Sequence, residues 1–235
     1  MLKNRIYAFL LALLFALSSA ECCFAEEFTP PYDFFDREHV RSNWRLNLTD
    51  IDNDAWYSSV IITAYDWMTG ISETKFGPDL NMTRAMFVTA LQRYHYQHRD
   101  QEETPEKAHF TDIPEDAWYA EAVNWAVANG IAKGVSEERF NPNANITREE
   151  IAVMLKKFSE YEGSNSESNV KIPKAYSEFS DVSKVSAWAA ESMEWAVNRG
   201  FIRGTKIGLE PQALVTRAQV VQLMYNYSMN GNIID

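Results

Sequence analysis

Apolar residues recur with a helical period at three places along this chain, each time directly after a Thr-Arg pair. Counted from the Thr, they fall at the fourth, seventh, eighth and eleventh following positions. These positions share one face of an α-helix because the helix repeats about every 3.6 residues. The pattern predicts three amphipathic helices in the same register. Their stripes are Phe87, Ala90, Leu91 and Tyr94, then Ile151, Met154, Leu155 and Phe158, and finally Val220, Leu223, Met224 and Tyr227.

A shorter helix is predicted ahead of each of these three. In the middle of the chain it ends near Gly130, a residue typical of the left-handed cap that closes a helix. A turn-rich loop then leads to Thr147 at an N-cap position, and Glu150 completes a capping box. Thr216 and Gln219 repeat that box further along. The apolar stripe of this shorter helix consists of Trp118, Ala122, Val123 and Ala126.

The same order of motif residues occurs three times. Each unit carries an Asp, a Trp, a Gly, a Pro and the Thr-Arg pair, and the Pro always precedes the Thr by five residues. A helix pair this small can hardly bury its stripe alone, whereas three pairs can share one core. We therefore predict an all-α fold in which three tandem helix-loop-helix units form a pseudo-threefold helical bundle. The recurring residues include Asp50, Asp112 and Asp181, Trp56, Trp118 and Trp188, and Gly70, Gly134 and Gly204.

The amino terminus has the order of a secretory signal peptide: a positive start, an apolar stretch and small residues up to Ala25. A membrane anchor is the alternative, but the stretch is too short to span a bilayer. Cleavage after Ala25 would remove both cysteines, Cys22 and Cys23, whereas cleavage after Ala20 would keep them. No second long apolar stretch follows, so we expect an exported chain without a transmembrane segment. The predicted organisation is a signal peptide at 1–25, a lead segment at 26–46, and repeats at 47–96, 109–160 and 178–228.

Composition narrows the chemistry. Lys and Arg total 22 against 33 Asp and Glu, a formal charge of -11, which argues against nucleic-acid binding. No phosphate-cradling glycine string and no hydrolase or metalloprotease motif is present. His95 and His98 lie three residues apart but lack a third ligand, so we expect solvated side chains rather than a metal site. We predict no cofactor, no metal and no enzymatic activity.

The repeated motif residues resemble those of a known protein family. An Asp-Ile or Asp-Val near the start, a Trp opening the first helix, a Gly and Pro in the loop, and Thr-Arg opening the second helix are similar to the S-layer homology (SLH) family. The resemblance covers roughly residues 47–228 as three tandem SLH domains. The second unit is the most complete, since the third has Leu209 where the others have Phe.

The resemblance implies a function. Family members form a three-pronged bundle and hold extracellular proteins to the bacterial cell wall. They bind secondary cell-wall polysaccharide, commonly with a pyruvate ketal on an N-acetylmannosamine-type sugar, in grooves between units. The Arg of the Thr-Arg pair is implicated in recognising the carboxylate. The implied binding set is Arg84, Arg148 and Arg217, with Thr83, Thr147 and Thr216, and the repeated Asp, Gly and Trp residues named above.

The physical chemistry of the arginines is consistent with this role. Arg84, Arg148 and Arg217 each occupy the first helical position, where unpaired N–H groups and the helix dipole favour an anion. A guanidinium adds a planar fork that can bind a carboxylate with two hydrogen bonds. The alternative is that each Arg pairs with a nearby Asp of the repeat; Asp112 could also orient Arg148 while a ligand binds.

The tryptophans allow two interpretations. Sugar faces stack on indole rings, so the Trp residues could line grooves. We expect a core position instead, because a large ring at the start of an amphipathic helix is usually packed.

The leading hypothesis is a secreted, non-catalytic protein of the cell wall or S-layer that binds polysaccharide. The alternative is a structural envelope protein whose SLH-like units bind another protein, with the arginines internal. Because both the chain and the glycan are acidic, recognition must be local, through a few cationic pockets.

Overall fold

The computed structural model describes residues 48–61, 64, 67–99, 108–163, 172 and 174–231. The predicted signal peptide and the lead segment at 26–46 lie outside the described residues. Within the described part, the helical elements are α1 (Ser58–Ile61), α2 (Arg84–His98), α3 (Ala120–Ala128), α4 (Arg148–Tyr161), α5 (Ala190–Asn198) and α6 (Arg217–Gly231), with two short 3₁₀ turns at Tyr176–Glu178 and Val182–Lys184.

The all-α prediction is confirmed. The described residues form no β-strand, and extended pairing among them is limited to isolated bridges. None of the described helices has both the length and the apolar character needed to cross a bilayer.

The predicted helix starts are confirmed at the long helices. Thr147 caps α4 through its side chain, and Glu150 returns a bond to the Thr147 amide, which completes the capping box. Gln219 accepts from the Thr216 amide in the same way at α6. Thr83 caps α2 as well, but Met86 supplies no returning bond. The first helices begin two residues after each Trp.

Helices pack between units in a cyclic order. The second helix of one unit contacts the first helix of the next: α2 packs on α3, and α4 packs on α5. The last helix, α6, packs on α1 and closes the circle. Each pair of packed helices therefore combines two sequence units. This exchange follows from the small size of a unit, whose apolar stripe needs a neighbour for burial.

The core is centred on three aromatic rings from the eleventh positions of the stripes. Tyr94, Phe158 and Tyr227 meet with ring centroids 5.8 to 6.0 Å apart. All twelve predicted stripe residues are buried. The prediction of one shared core is confirmed.

A closed cycle of backbone hydrogen bonds joins the units just before the long helices. The Met82 amide donates to the Val215 carbonyl at 2.7 Å, and the Ile146 amide donates to the Met82 carbonyl at 2.9 Å. The Val215 amide donates to the Ile146 carbonyl at 3.2 Å and completes the cycle. All three side chains are buried. The cycle fixes the three helix starts around one pseudo-threefold centre.

Two predictions about side-chain burial are wrong. Trp56 and Trp188 are 58% and 61% exposed, because the helix begins two residues later and their rings lie outside its packed face. His95 is buried rather than solvated: its Nδ1 lies 2.5 Å from Oε1 of Glu162, and its ring packs 5.5 Å from that of Trp125. Trp118, the third of the repeated tryptophans, is partly buried and packs against the core.

We expect Phe158→Ala to lower the free energy of unfolding by about 3–5 kcal/mol, because it leaves a cavity where all three units meet. Urea denaturation followed by circular dichroism measures the change. Glu121→Ala, at an exposed site on α3, is the control and should change stability by less than about 0.5 kcal/mol. A loss below about 1 kcal/mol for Phe158→Ala would contradict the shared core.

Candidate functional site

The repeated Asp of each unit binds the loop of its own unit. The Asp112 carboxylate accepts from the amides of Phe140 and Asn141 at 2.9 and 2.8 Å. Asp181 accepts from the amides of Leu209 and Glu210 at the same two distances. Asp50 does the same with Phe76 and Gly77 at 2.9 and 2.7 Å. These carboxylates therefore hold the loop that carries the repeated Pro.

These hydrogen bonds also change the acidity of the carboxyl groups. Burial of Asp112 opposes ionisation, but the amides of Phe140 and Asn141 more than compensate and lower its pKa below the ordinary value. The pKa of Asp181 is lowered in the same way, against burial, by the Leu209 and Glu210 amides. Both groups therefore contribute stability in their ionised form.

The repeated Gly residues allow close packing in the same loops. A Cβ at Gly204 would lie 2.1 Å from the ring of Phe179, and one at Gly134 would lie 2.4 Å from that of Phe110. At Gly70 a Cβ would meet the Lys75 carbonyl oxygen at 2.6 Å. No larger residue fits without moving these groups, so the glycines shape the loop that faces the neighbouring unit.

Each repeated Arg reaches into the loop of the next unit. Nε of Arg84 donates to the Phe140 carbonyl at 3.1 Å, and its Nη2 donates to the Lys133 carbonyl at 2.9 Å. Neither partner is an Asp. The carbonyl of Phe140 thus binds Arg84 while its amide binds Asp112, so one loop residue connects two units.

The same contacts recur cyclically. Arg148 donates to the carbonyls of Leu209 and Arg203, both at 2.7 Å. Arg217 of the last unit donates to the carbonyls of Phe76 and Thr69 in the first, at 3.0 and 2.5 Å. The alternative in which each Arg pairs with an Asp is not observed, since the arginines bind backbone carbonyls and Arg84 also binds Glu150.

The three arginines differ in exposure. Arg84 and Arg217 are 5% and 2% exposed, and their guanidinium carbons lie 4.9 and 4.7 Å from the ring centroids of Phe140 and Phe76. Arg148 is partly exposed and faces Leu209, which has no ring. Burial lowers the pKa of Arg217 to about 10, with the charge of Asp50 opposing the change. All three remain protonated at neutral pH.

Arg148 lines a cavity of about 250 Å³ between the second and third units. The exposed Trp56 of the first unit lies on its rim, so all three units contribute to it. Apart from two arginines, its polar side chains are amides and a hydroxyl, and no carboxylate from the described part of the chain lines it. Besides Arg148 and Trp56, the lining includes Arg203, Thr205, Gln219, Gln222 and Asn226.

Carboxylates near Arg148 are engaged elsewhere. Burial lowers the pKa of Arg148, and the charges of Glu210 and Asp181 partly offset this at longer range. Asp181 is bound to its loop amides, and Glu210 accepts from the Thr205 hydroxyl. Among the described residues, no acid lies within 4.0 Å of the Arg148 guanidinium. The cavity thus combines a cationic fork, neutral polar groups and an aromatic face.

Comparison with known families supports this architecture. Residues 109–152 and 178–221 match the S-layer homology domain model. The second and third units therefore match the S-layer homology family. The first unit, residues 47–96 in our prediction, is not matched, although Arg84 and Asp50 make the equivalent contacts there.

The relatives that this chain resembles include surface proteins and enzymes. The chain is 40% identical to a surface-layer 125 kDa protein of Lysinibacillus sphaericus over 46% of its length, and 33% identical to a cell surface protein of Thermoanaerobacter kivui over 42%. It is 26% identical to exoglucanase XynX of Acetivibrio thermocellus over 76%. The chain spans only 9%, 13% and 16% of these relatives. The S-layer homology domains and these relatives together support a location at the cell surface, associated with the cell wall.

Sequence reasoning found the arginines but missed their cyclic carbonyl contacts. It also missed the place of Trp56 on a cavity formed mainly by the second and third units. Gln219 was recognised as a capping residue and not as part of a site. The sequence did contain a signal: the position three residues after the repeated Thr carries Met86, Glu150 and Gln219 in the three units, so its charge differs between them.

We expect Asp181→Asn to lower stability at pH 7 by about 1–3 kcal/mol, because the amide cannot accept from two N–H groups as the carboxylate does. Since the folded-state pKa of Asp181 is depressed, its contribution is complete above about pH 4 and is lost as the pH falls through the folded value. Urea midpoints between pH 7 and pH 2.5 should therefore fall less steeply in the variant. Asp116→Asn, at an exposed site, is the control. If the urea midpoint depends on pH equally in the unmodified chain and in both variants, Asp181 does not contribute stability in its ionised form.

We expect Arg217→Lys to destabilise the chain by about 2 kcal/mol, because an ammonium cannot bind both the Thr69 and Phe76 carbonyls. Arg139→Lys, whose side chain is 65% exposed, should have no measurable effect. Thermal unfolding of the two variants provides the test, and equal melting temperatures would show that Arg217 does not join the third unit to the first.

Proposed function

We propose that this chain is a non-catalytic cell-wall anchor that binds a carboxylate-bearing sugar of a secondary cell-wall polysaccharide in the cavity at Arg148. The observation that carries the proposal is the partly exposed guanidinium in that cavity, with no acid in ion-pair contact among the described residues. A pyruvate ketal presents one carboxylate on a compact ring, and it suits one cationic fork.

The remaining lining supports a sugar as the ligand. Gln222 and Asn226 bring side-chain amides, which suit hydroxyl and acetamido groups. The exposed indole of Trp56 offers a flat apolar face on which a sugar ring can stack. The cavity of about 250 Å³ is small, so it accommodates one sugar residue rather than an extended chain.

Arg84 and Arg217 have a different part in the proposal. Both are buried and bound to carbonyls of the next unit, so their role is to join units. Their predicted role in ligand binding remains a prediction. The proposal does not depend on it.

A second candidate is a structural envelope protein that binds another protein. The internal positions of Arg84 and Arg217 favour it, because two of the three repeated arginines are then part of the fold. The exposed indole of Trp188 gives such a protein an apolar contact on the surface. The experiment below separates the two candidates.

The test is co-sedimentation of the purified chain with cell-wall sacculi of Lysinibacillus sphaericus, in three forms. One is intact, one has lost ketal groups to mild acid, and one has lost its polysaccharide to hydrofluoric acid. We expect binding to the intact form and at least a tenfold loss with the other two, since one charge-assisted contact is worth about that factor. Binding that survives removal of the polysaccharide would overturn the proposal and favour the protein partner.

The matched variants are Arg148→Ala and Arg139→Ala, which remove the same charge inside and outside the cavity. We expect only Arg148→Ala to lose binding to intact sacculi. Its urea midpoint should be measured alongside, because the Leu209 and Arg203 carbonyls lose their partner. Equal binding of a folded Arg148→Ala variant would exclude this cavity as the site.

A further inference from the structure

The residue three positions after each Thr is placed to neighbour the Arg of the preceding unit. Glu150 faces Arg84, and its Oε1 lies 3.3 Å from Nη1 of that guanidinium. By the cyclic order of the contacts, Gln219 is the equivalent neighbour of Arg148, and both line the same cavity. Met86 is the equivalent neighbour of Arg217. At this position the three units thus carry an acid, an amide and a thioether.

Glu150 shows how one carboxylate serves two purposes. Its Oε2 accepts from the Thr147 amide and hydroxyl at 2.9 and 3.0 Å, which caps α4. Its Oε1 remains available and accepts from Arg84. With the two carbonyl contacts, each of the three nitrogens of the Arg84 guanidinium has an acceptor, which uses three of its five N–H groups. Arg84 is also only 5% exposed, so an external carboxylate has little access to the other two.

Gln219 fulfils only the first of these purposes. Its Oε1 accepts from the Thr216 amide at 3.0 Å, so the side chain caps α6 as Glu150 caps α4. Since that amide requires the oxygen, the other end of the side chain is an NH₂ group, which donates and cannot accept. On Arg148, Nε and Nη2 have carbonyl acceptors. Nη1 is the nitrogen whose counterpart in Arg84 binds Glu150.

The loop of the third unit adds to this difference. Leu209 stands where the other two loops have Phe140 and Phe76, whose rings cover Arg84 and Arg217. Leu209 accepts from Arg148 through its carbonyl but places no aromatic ring over the guanidinium. The cation at this interface is consequently less enclosed, in agreement with its greater exposure.

We propose that Gln219 is the specificity-determining residue of the site: it leaves the partly exposed Arg148 without an internal carboxylate, so the interface of the second and third units takes an external carboxylate, with one ligand per chain. Arg217 is kept from a ligand by its burial against the ring of Phe76. This inference rests on the proposed function for the identity of the ligand. The availability of Arg148 itself stands on the geometry of the three interfaces.

The decisive variant is Gln219→Glu. It should keep the cap of α6, because Glu150 forms the same cap, and it should direct a carboxylate oxygen at Arg148 as Glu150 directs one at Arg84. Phenylglyoxal labelling with peptide mass spectrometry measures how available each arginine is. We expect Arg148 to react faster than Arg84 and Arg217 in the unmodified sequence, and about tenfold more slowly in Gln219→Glu.

Two controls accompany it. Gln222→Glu adds the same charge to the same cavity, three residues further along α6, and should protect Arg148 less. Glu150→Gln makes the reverse change at the equivalent position and should leave the reactivity of Arg148 unchanged. The proposal is overturned if Gln219→Glu leaves Arg148 reactive, if Gln222→Glu protects it equally, or if Arg84 or Arg217 reacts as fast.

A binding measurement separates this inference from the proposed function. The probe is the methyl glycoside of N-acetylmannosamine carrying a pyruvate ketal, titrated by calorimetry into the purified chain. We expect one equivalent per chain, and at least a tenfold weaker affinity in Gln219→Glu. Two or three equivalents would overturn the single site. If the labelling pattern is as expected but the probe does not bind, the availability of Arg148 stands and the proposed ligand is wrong.

Discussion

The structure depends on a cycle of hydrogen bonds that closes only when the third unit meets the first. The buried backbone bonds among Met82, Ile146 and Val215 form that cycle at the centre. Arg217 repeats the closure further out by binding carbonyls of the first unit. A buried amide or carbonyl without a partner costs free energy, so an open arrangement of three units would leave such groups unpaired. The repeats are therefore parts of one cooperative body and not independent modules.

The cyclic arrangement of the units also explains why each loop binds two charged side chains from different units. The amide of Phe140 binds the carboxylate of its own unit, and its carbonyl binds Arg84 of the preceding unit. The loop is held from both sides by charged groups, which strengthens both bonds. Each repeated Arg therefore has a structural role, because it binds carbonyls of the next unit. It becomes available to a ligand only where its remaining nitrogen finds no internal acid.

The three interfaces consequently differ in function although their backbones are equivalent. Arg84 is paired with Glu150, and Arg217 is 2% exposed and packs against the ring of Phe76. Arg148 combines partial exposure with a cavity whose other polar groups are neutral or cationic. For a chain of net charge -11, an anionic glycan is attracted by such a local cation and not by the protein as a whole. A small change at one position can thus decide which interface binds.

The sequence by itself determined the helices, their caps and the shared core. The apolar period placed Phe158 and its equivalents, and the Thr147 and Glu150 pair marked a helix start, because these signals act within a few residues of one another. Tertiary structure decided which unit each Arg contacts and why His95 is buried. Those outcomes arise from contacts between residues some 50 to 150 positions apart, such as Arg217 with Thr69. Local periodicity carries no information about such pairs, since it records only which face of a helix is apolar and not which neighbour covers it.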